Sequence, residues 1–189
     1  HQVLPKQGYT EMFKSLLDHT HIHLQLNHRL SPEWIQKYRS QYKAIIYTGP
    51  IDTFFHYCFG KLQYRSLRFE WVHKKNLDFF QPSVQCNYPN DQEYTRIVES
   101  KHITKISGHG TTLCYEYPSS KGEPFYPMPI KYQLEKYQRY QELAKLEEVK
   151  EHPVYFVGRL AEYKYYNMDH IFLRAIGIAN DIAQRFSTI

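Results

Sequence analysis

Val154-Tyr155-Phe156-Val157-Gly158-Arg159-Leu160-Ala161-Glu162-Tyr163-Lys164-Tyr165-Tyr166-Asn167-Met168-Asp169 is the stretch whose reading decides the fold. The apolar run Val154 to Val157 predicts a strand, Gly158-Arg159 ends it, tyrosines cluster behind it, and an amphipathic pattern from about Met168 to Phe186 predicts a helix. Strand, turn and helix in that order belong to an α/β layer. The same layout suits a phosphate and a stacked ring. Gly158 lets a ligand approach the backbone closely, Arg159 is able to grip a diphosphate with two parallel bonds, and a helix N-terminus favours an anion.

Working outward, the first sixty residues also alternate strand and helix. Thr10 to Leu17 predicts a short helix with Thr10 as its cap, and Ile22, Leu24 and Leu26 alternate with polar residues as in a half-buried strand. Ser31-Pro32 opens a second helix, proline standing where its missing N–H is harmless. Ala44 to Tyr47 predicts a fully buried strand ending at Thr48-Gly49-Pro50. The middle of the chain differs. Leu62 to Val72, Val84 to Tyr88, Tyr94 to Glu99, His102 to Ile106 and Thr112 to Tyr117 predict five strands of an antiparallel meander, with Gly108-His109-Gly110 as a hairpin turn. After the turn-rich Pro118 to Pro129, Lys131 to Leu146 predicts a tyrosine-studded helix. The expected fold class is mixed α+β, an antiparallel sheet of five to six strands inserted between pieces of an α/β layer. The expected organisation is residues 1–60 and 131–189 in the α/β layer and 61–130 in the inserted sheet.

Length and composition narrow the function. The 189 residues suffice for a real core. Aromatic residues make up 16%, including 18 tyrosines, and tyrosine joins a flat apolar face to a hydroxyl that needs a partner, which suits sugar and ring-stacking sites. The formal charge of +5 favours anionic ligands, and its dispersal without a run of five or more basic residues favours small phosphorylated molecules over nucleic acid. Three cysteines, Cys58, Cys86 and Cys114, with no C-x-x-C pair, read as buried thiols in a reducing, cytoplasmic setting. No apolar run of the ~18 residues that a membrane span needs is present.

Arg65, Arg68, Arg96 and Arg159 lie on or beside predicted strands with aromatic neighbours, the pattern of a phosphate site. Such arginines also occur on strands merely as solubilising groups. His19, His21 and His23 alternate on one predicted strand face, but no cysteine or carboxylate stands at ligand spacing, so an exposed polar face is the simpler reading and no metal is expected. Asp52, Glu70, Glu116 and Glu162 supply carboxylates without marking an acid–base pair. There is no nucleophile elbow, zinc-binding helix or phosphate loop. No nucleophile is evident in the chain, so a bound cofactor is expected to carry any chemistry.

Ordered blocks along nearly the whole chain resemble the UDP-galactopyranose mutase family. They are P-K-Q-G-Y-T (Pro5 to Thr10), Y-T-G-P-I-D (Tyr47 to Asp52), F-G-K-L-Q-Y-R-S-L-R-F-E (Phe59 to Glu70), N-Y-P (Asn87 to Pro89) and Y-T-R-I-V-E-S-K-H (Tyr94 to His102). They continue with E-Y-P (Glu116 to Pro118), G-E-P-F-Y-P (Gly122 to Pro127) and Gly158 to Asp169. The resemblance implies an FAD-dependent isomerase that interconverts UDP-galactopyranose and UDP-galactofuranose, in which N5 of reduced FAD attacks the anomeric carbon, displaces UDP and forms a flavin–sugar adduct. It implies that Arg96 neutralises the substrate diphosphate, that Tyr126 and Tyr165 hydrogen-bond it, and that Arg65, Asn87 and Asn167 line the substrate pocket. It further implies that Gly158, Arg159, Tyr165 and Met168 face the cofactor, Arg159 on its pyrophosphate. No side chain is expected to be catalytic in its own right.

Two departures from the family pattern stand out. Family members open with a G-x-G-x-x-G strand–turn–helix that binds the FAD diphosphate and a helical domain that holds the uridine, and this sequence contains neither. The expectation is therefore a C-terminal half whose partner is the other half of the same polypeptide, which alone neither holds FAD tightly nor turns over substrate and which self-associates into a homo-oligomer. Asn167 stands where the family has aspartate in Y-Y-D-M-D, keeping the size and losing the charge. Two alternatives remain open from the sequence: a non-catalytic nucleotide-sugar-binding module and a flavoprotein oxidoreductase.

Overall fold

The computed structural model describes residues 4–187; the outermost residues of the predicted first and last segments, 1–3 and 188–189, lie outside the described residues. Two units divide the chain: one joins the segment ending at His28 to Leu67–Gly122, and the other joins Arg29–Ser66 to the segment that starts at Glu123.

In the second unit a two-stranded parallel sheet forms the centre. β1 (Ile45–Tyr47) pairs with β7 (Val154–Phe156) in the register Ile45↔Val154, Ile46↔Tyr155, Tyr47↔Phe156. All three residues of β7 are buried, as its unbroken apolar run predicts. β1 departs from expectation: Ile46 is 49% exposed on the face opposite the buried Ile45 and Tyr47, and β1 pairs only with β7 among the described residues.

Helices pack on this pair. α2 (Pro32–Tyr38) starts where Ser31-Pro32 predicts, with the Ser31 hydroxyl accepting from the Trp34 N–H at 3.2 Å, and it buries Ile35. α3 (Ile51–Phe54) buries Asp52, whose carboxylate accepts from the Leu62 and Thr53 N–H groups at 2.8 and 2.9 Å. α5 (Lys131–Glu148) sends the buried Tyr140 hydroxyl between the Phe59 N–H at 3.1 Å and the Gly60 carbonyl at 2.9 Å, so the ring is buried with its polar end paired. Tyr47, Phe54 and Phe156 meet edge to face, with centroids 4.8–5.8 Å apart.

α6 (Met168–Ser187) buries no residue completely. Arg174 ties it to Glu162 at 2.9 Å, and Arg185 ties it to the Glu148 and Lys150 carbonyls at 2.6 and 3.0 Å.

The first unit holds the antiparallel sheet, formed from the outer part of β2 (Tyr64–Lys74), β3 (Gln85–Asn87), β4 (Arg96–Glu99) and β5 (Thr111–Ser119). β3 pairs with β4 in the register Asn87↔Arg96, and β4 with β5 in the register Arg96↔Glu116. The chain passes between the units within β2, whose first residues Tyr64 and Arg65 pair with Pro127 and Tyr126 of β6 (Tyr126–Pro127) in the second unit. The strand order is β3-β4-β5-β2-β6, which with the parallel pair and the helices makes a mixed α+β fold.

A fully buried carboxylate organises one end of this sheet. Glu99 accepts from the Thr111 hydroxyl at 2.6 Å and from the Phe80 and Gln81 N–H groups, and it lies 3.3 Å from His102 Nε2. Burial alone pushes this carboxyl up; the hydrogen bonds and the neighbouring imidazole outweigh it and hold the group below the usual carboxylate range.

Several local expectations are corrected. Ile22, Leu24 and Leu26 form no strand and are exposed, because no strand among the described residues offers them hydrogen bonds. The histidines His19 and His21 sit in a turn instead of on a strand face, and no group of three metal-ligating side chains occurs among the described residues. His102 to Ile106 is no strand: Lys101–Thr104 forms a single helical turn, α4, closed by Lys105 at φ 51°. The five-stranded count survives because β6 takes that place. Gly108 and Gly110, at φ 132° and 95°, thus join a helix to a strand and not two strands. α1 spans Gly8–Leu17 without a side-chain cap, so Thr10 lies inside it. Of the three thiols Cys114 is buried, Cys86 half-buried and Cys58 exposed. No helix is long and apolar enough to cross a membrane among the described residues.

Candidate functional site

In the second unit the chain leaving β7 turns at Gly158, where φ is +115°, a region that side chains rarely enter. The Val157 N–H still donates to the Tyr47 carbonyl at 3.1 Å, so Gly158-Arg159 follows directly on the parallel pair. The turn is closed twice: the Glu162 N–H donates to the Gly158 carbonyl at 2.8 Å, and the Gly158 N–H donates to the Glu162 carboxylate at 2.9 Å. Tyr163, buried and at φ 43°, anchors the far end through its hydroxyl, which accepts from the Met128 N–H at 3.0 Å. The Tyr64 hydroxyl donates to the Leu160 carbonyl at 3.3 Å.

This turn presents Arg159 to two aromatic rings. Its guanidinium carbon lies 4.7 Å from the Tyr165 ring centre and 5.5 Å from that of Tyr126, and the two rings stack on each other at 5.7 Å. Arg159 Nη2 donates to the Phe125 carbonyl at 2.7 Å, whereas its Nε is buried with no hydrogen-bond partner among the described residues. A buried donor left unpaired is costly, so this nitrogen is able to take an acceptor beyond those that the described residues supply. Arg65 lies across from Tyr126 in the β2–β6 register, and its carbonyl accepts from the Phe125 N–H at 3.1 Å. Asn167 and Met168 stand at the start of α6, both exposed, and the Asn167 carbonyl accepts the Ile171 N–H. Arg65, Tyr126, Gly158, Arg159 and Tyr165 are therefore brought together here.

In the first unit Asn87 and Arg96 face each other across β3 and β4. Arg96 Nε donates to Asn87 Oδ1 at 3.0 Å, and Nη1 approaches Glu116 on β5 at 3.4 Å. The sheet register puts all three on one face, and Arg96 is about one-third exposed at 34%, so its charge reaches solvent from a fixed position. On the opposite face Tyr94 packs edge-on against Tyr88 and Tyr115, and Arg68 lies 3.8 Å over the Tyr117 ring while pairing with Glu70 at 3.5 Å. Arg68 is thus committed to its own neighbours.

The second unit also contains a cleft of about 790 Å³ at the C-terminal end of β1, lined by Ile46 to Pro50, Arg29 to Glu33, Thr53, His56 and Tyr57. Ligands in α/β sheets bind outside the carboxyl ends of strands, and a volume of this order accommodates a nucleotide-sized molecule. Burial pushes the Tyr47 hydroxyl at its base up to about 12, which keeps it neutral. The sequence reading named none of these as site residues, although the Tyr47-Thr48-Gly49-Pro50 strand end was the available signal. It also missed Glu116 and Glu162 as supports, since each gains its partner only through sheet register or turn closure.

Residues 1–165 match the family model of UDP-galactopyranose mutase. Among curated relatives, a probable UDP-galactopyranose mutase of Klebsiella pneumoniae is 34% identical over 186 residues, covering 95% of this chain and 46% of that protein. A dTDP-fucopyranose mutase of Escherichia coli is 33% identical over 94% of this chain and 48% of its own length. A UDP-galactopyranose mutase of Mycoplasma pneumoniae is 32% identical, covering 97% and 48%. The chain spans about half the length of the curated relatives it matches. With the family pattern running through 165 of its 189 residues, the chain belongs to the UDP-galactopyranose mutase family.

Proposed function

We propose that the whole protein carrying this chain interconverts UDP-galactopyranose and UDP-galactofuranose with reduced FAD as cofactor, in the cytoplasm. The observation that carries the reading is the pair of arginine sites, each built beside residues that the family resemblance marks. In the first unit, Arg96, oriented by Asn87 and Glu116, holds the substrate diphosphate and keeps UDP in place after the glycosidic bond breaks. Its work is electrostatic positioning, and no side-chain acid or base is needed for it.

In the second unit, the unpartnered Arg159 Nε between two tyrosine rings fits an anionic group such as a cofactor diphosphate. The Gly158 turn removes the side chain that would keep such a group away from the backbone. Reduced FAD, held there by Arg159 and the Gly158 turn, would supply an electron-rich centre able to displace UDP from the sugar. Tyr126 and Tyr165 contribute ring faces and hydroxyls beside that anion. Asn167 offers an amide where a carboxylate stands in the family pattern, so no negative charge at that position opposes a bound anion.

A second substrate is favoured by one observation: the likeness to a dTDP-fucopyranose mutase nearly equals that to the UDP-galactopyranose mutases, 33% against 34%. The test is to incubate the whole protein with FAD, dithionite and each nucleotide sugar in turn, and to separate pyranose from furanose forms by chromatography. Furanose from UDP-galactopyranose supports the reading, furanose only from the deoxythymidine-linked sugar redirects it, and no furanose from either overturns it.

A further inference from the structure

We infer that Glu162 is a positioning residue: it sets the turn that presents Arg159, and α6 governs that turn through Arg174. The inference rests on the proposed cofactor role of Arg159 and deepens it. The family resemblance gives roles to Gly158, Arg159, Tyr165 and Met168 and none to Glu162.

The geometry is that of a clasp. Glu162 bonds Gly158 from both sides of the peptide, through its own N–H to the Gly158 carbonyl at 2.8 Å and through Oε2 from the Gly158 N–H at 2.9 Å. The residue so enclosed is the one at φ +115°, immediately before Arg159. Rotation about the Gly158 backbone swings Arg159 away from the two tyrosine rings, and glycine by itself does nothing to resist that rotation. Glu162 supplies the resistance.

The carboxylate is itself held. Oε1 accepts from Arg174 Nε at 2.9 Å, and the Glu162 side chain is only 14% exposed. Its two oxygens therefore join the Gly158 backbone to the first turns of α6. A charge-assisted bond on one oxygen fixes the direction of the other, so the helix and the arginine-bearing turn move as one. Residues that orient a binding group from behind typically cost about tenfold or more in affinity when removed, as outer-shell partners do at metal sites.

The test measures FAD affinity, by flavin fluorescence quenching, and thermal stability in the whole protein with Glu162→Ala, Glu162→Gln, Glu162→Asp and Arg159→Ala. A glutamine keeps one acceptor for the Gly158 N–H, whereas aspartate is too short to reach both Gly158 and Arg174. The expected order of affinity is wild type, then Gln, then Asp and Ala, with Ala about tenfold weaker than wild type and with an order that does not follow melting temperature. Wild-type affinity in Glu162→Ala, alongside a loss in Arg159→Ala, overturns this inference and leaves the cofactor reading intact. No flavin binding by the wild-type protein overturns both. Should Glu162→Ala fail to fold, Gln and Asp variants of equal affinity overturn the inference, and a stronger Gln variant supports it.

Discussion

In the β3–β4–β5 unit Arg96 meets an acceptor at two of its nitrogens, Asn87 at 3.0 Å and the Glu116 carboxylate at 3.4 Å. In the β1–β7 unit Arg159 has one backbone carbonyl, two ring faces and a buried Nε with no partner among the described residues. The first arginine is oriented by a carboxylate that offsets part of its charge, and it stays about one-third exposed, so an anion bound there is held through turnover and is open to exchange afterwards. The second has an unpaired Nε among the described residues and a half-buried position, which favours an anion that stays. Exchange suits a substrate diphosphate and retention suits a cofactor diphosphate. The contrast comes from partner chemistry, since the residue type is the same.

The largest effect expected from breaking the comparison is at Arg96. On the proposed function, Arg96→Ala removes a charge-assisted contact worth about 1.5–3 kcal/mol, and turnover of UDP-galactopyranose by the whole protein is expected to fall between about tenfold and about a hundredfold. Steady-state assays check this, and turnover within a factor of two of wild type breaks the assignment.

The pinned arginine depends on β4 staying in place, and Glu99 on the same strand supplies that. Its folded-state carboxyl is held below the usual range, so the stability it contributes is present above the unfolded value and is lost as pH falls through the folded one. Glu99→Gln costs about 2 kcal/mol near neutral pH. It also flattens the loss of stability below roughly pH 4, near the unperturbed carboxylate value. Urea titrations across pH check both. An unchanged acid limb means that Glu99 carries no such linkage.

Smaller effects sharpen the contrast. Glu116→Gln loosens Arg96 while leaving its charge, raising KM by a few-fold at most because a partly exposed pair is worth about 0–1 kcal/mol. Arg68→Ala, whose guanidinium is occupied by Tyr117 and Glu70 on the other sheet face, changes turnover less than about twofold. Equal losses in Arg68→Ala and Arg96→Ala erase the distinction between the two faces.

Much of the fold was legible where local chemistry decides it. Ser31-Pro32 started α2, the apolar Val154 to Phe156 became a buried strand, and Gly158 marked the turn into the tyrosine cluster and α6. What failed depended on partners remote in sequence. Ile22, Leu24 and Leu26 carry the period of a strand, but a strand exists only where another accepts its hydrogen bonds, and none does among the described residues. His102 turned helical because its ring reaches the Gln81 carbonyl at 2.9 Å and Lys101 caps the Gly108 and Gly110 carbonyls, contacts that no local pattern announces. At the candidate sites the arginines were legible as types and as matches to a family pattern. Their different surroundings were not, because Glu116 meets Arg96 only through strand register, and only the folded turn buries Arg159 Nε without a partner among the described residues.

Separate binding measurements on the whole protein decide whether the two arginines serve two different anions. FAD affinity is read by fluorescence quenching and UDP affinity by calorimetry, in wild type, Arg96→Ala and Arg159→Ala. The expected result is crossed: Arg96→Ala loses UDP affinity and keeps FAD, whereas Arg159→Ala loses FAD and, measured on the flavin-free protein, keeps the UDP affinity of flavin-free wild type. Full FAD affinity in Arg159→Ala, or equal loss of both ligands in both variants, contradicts it.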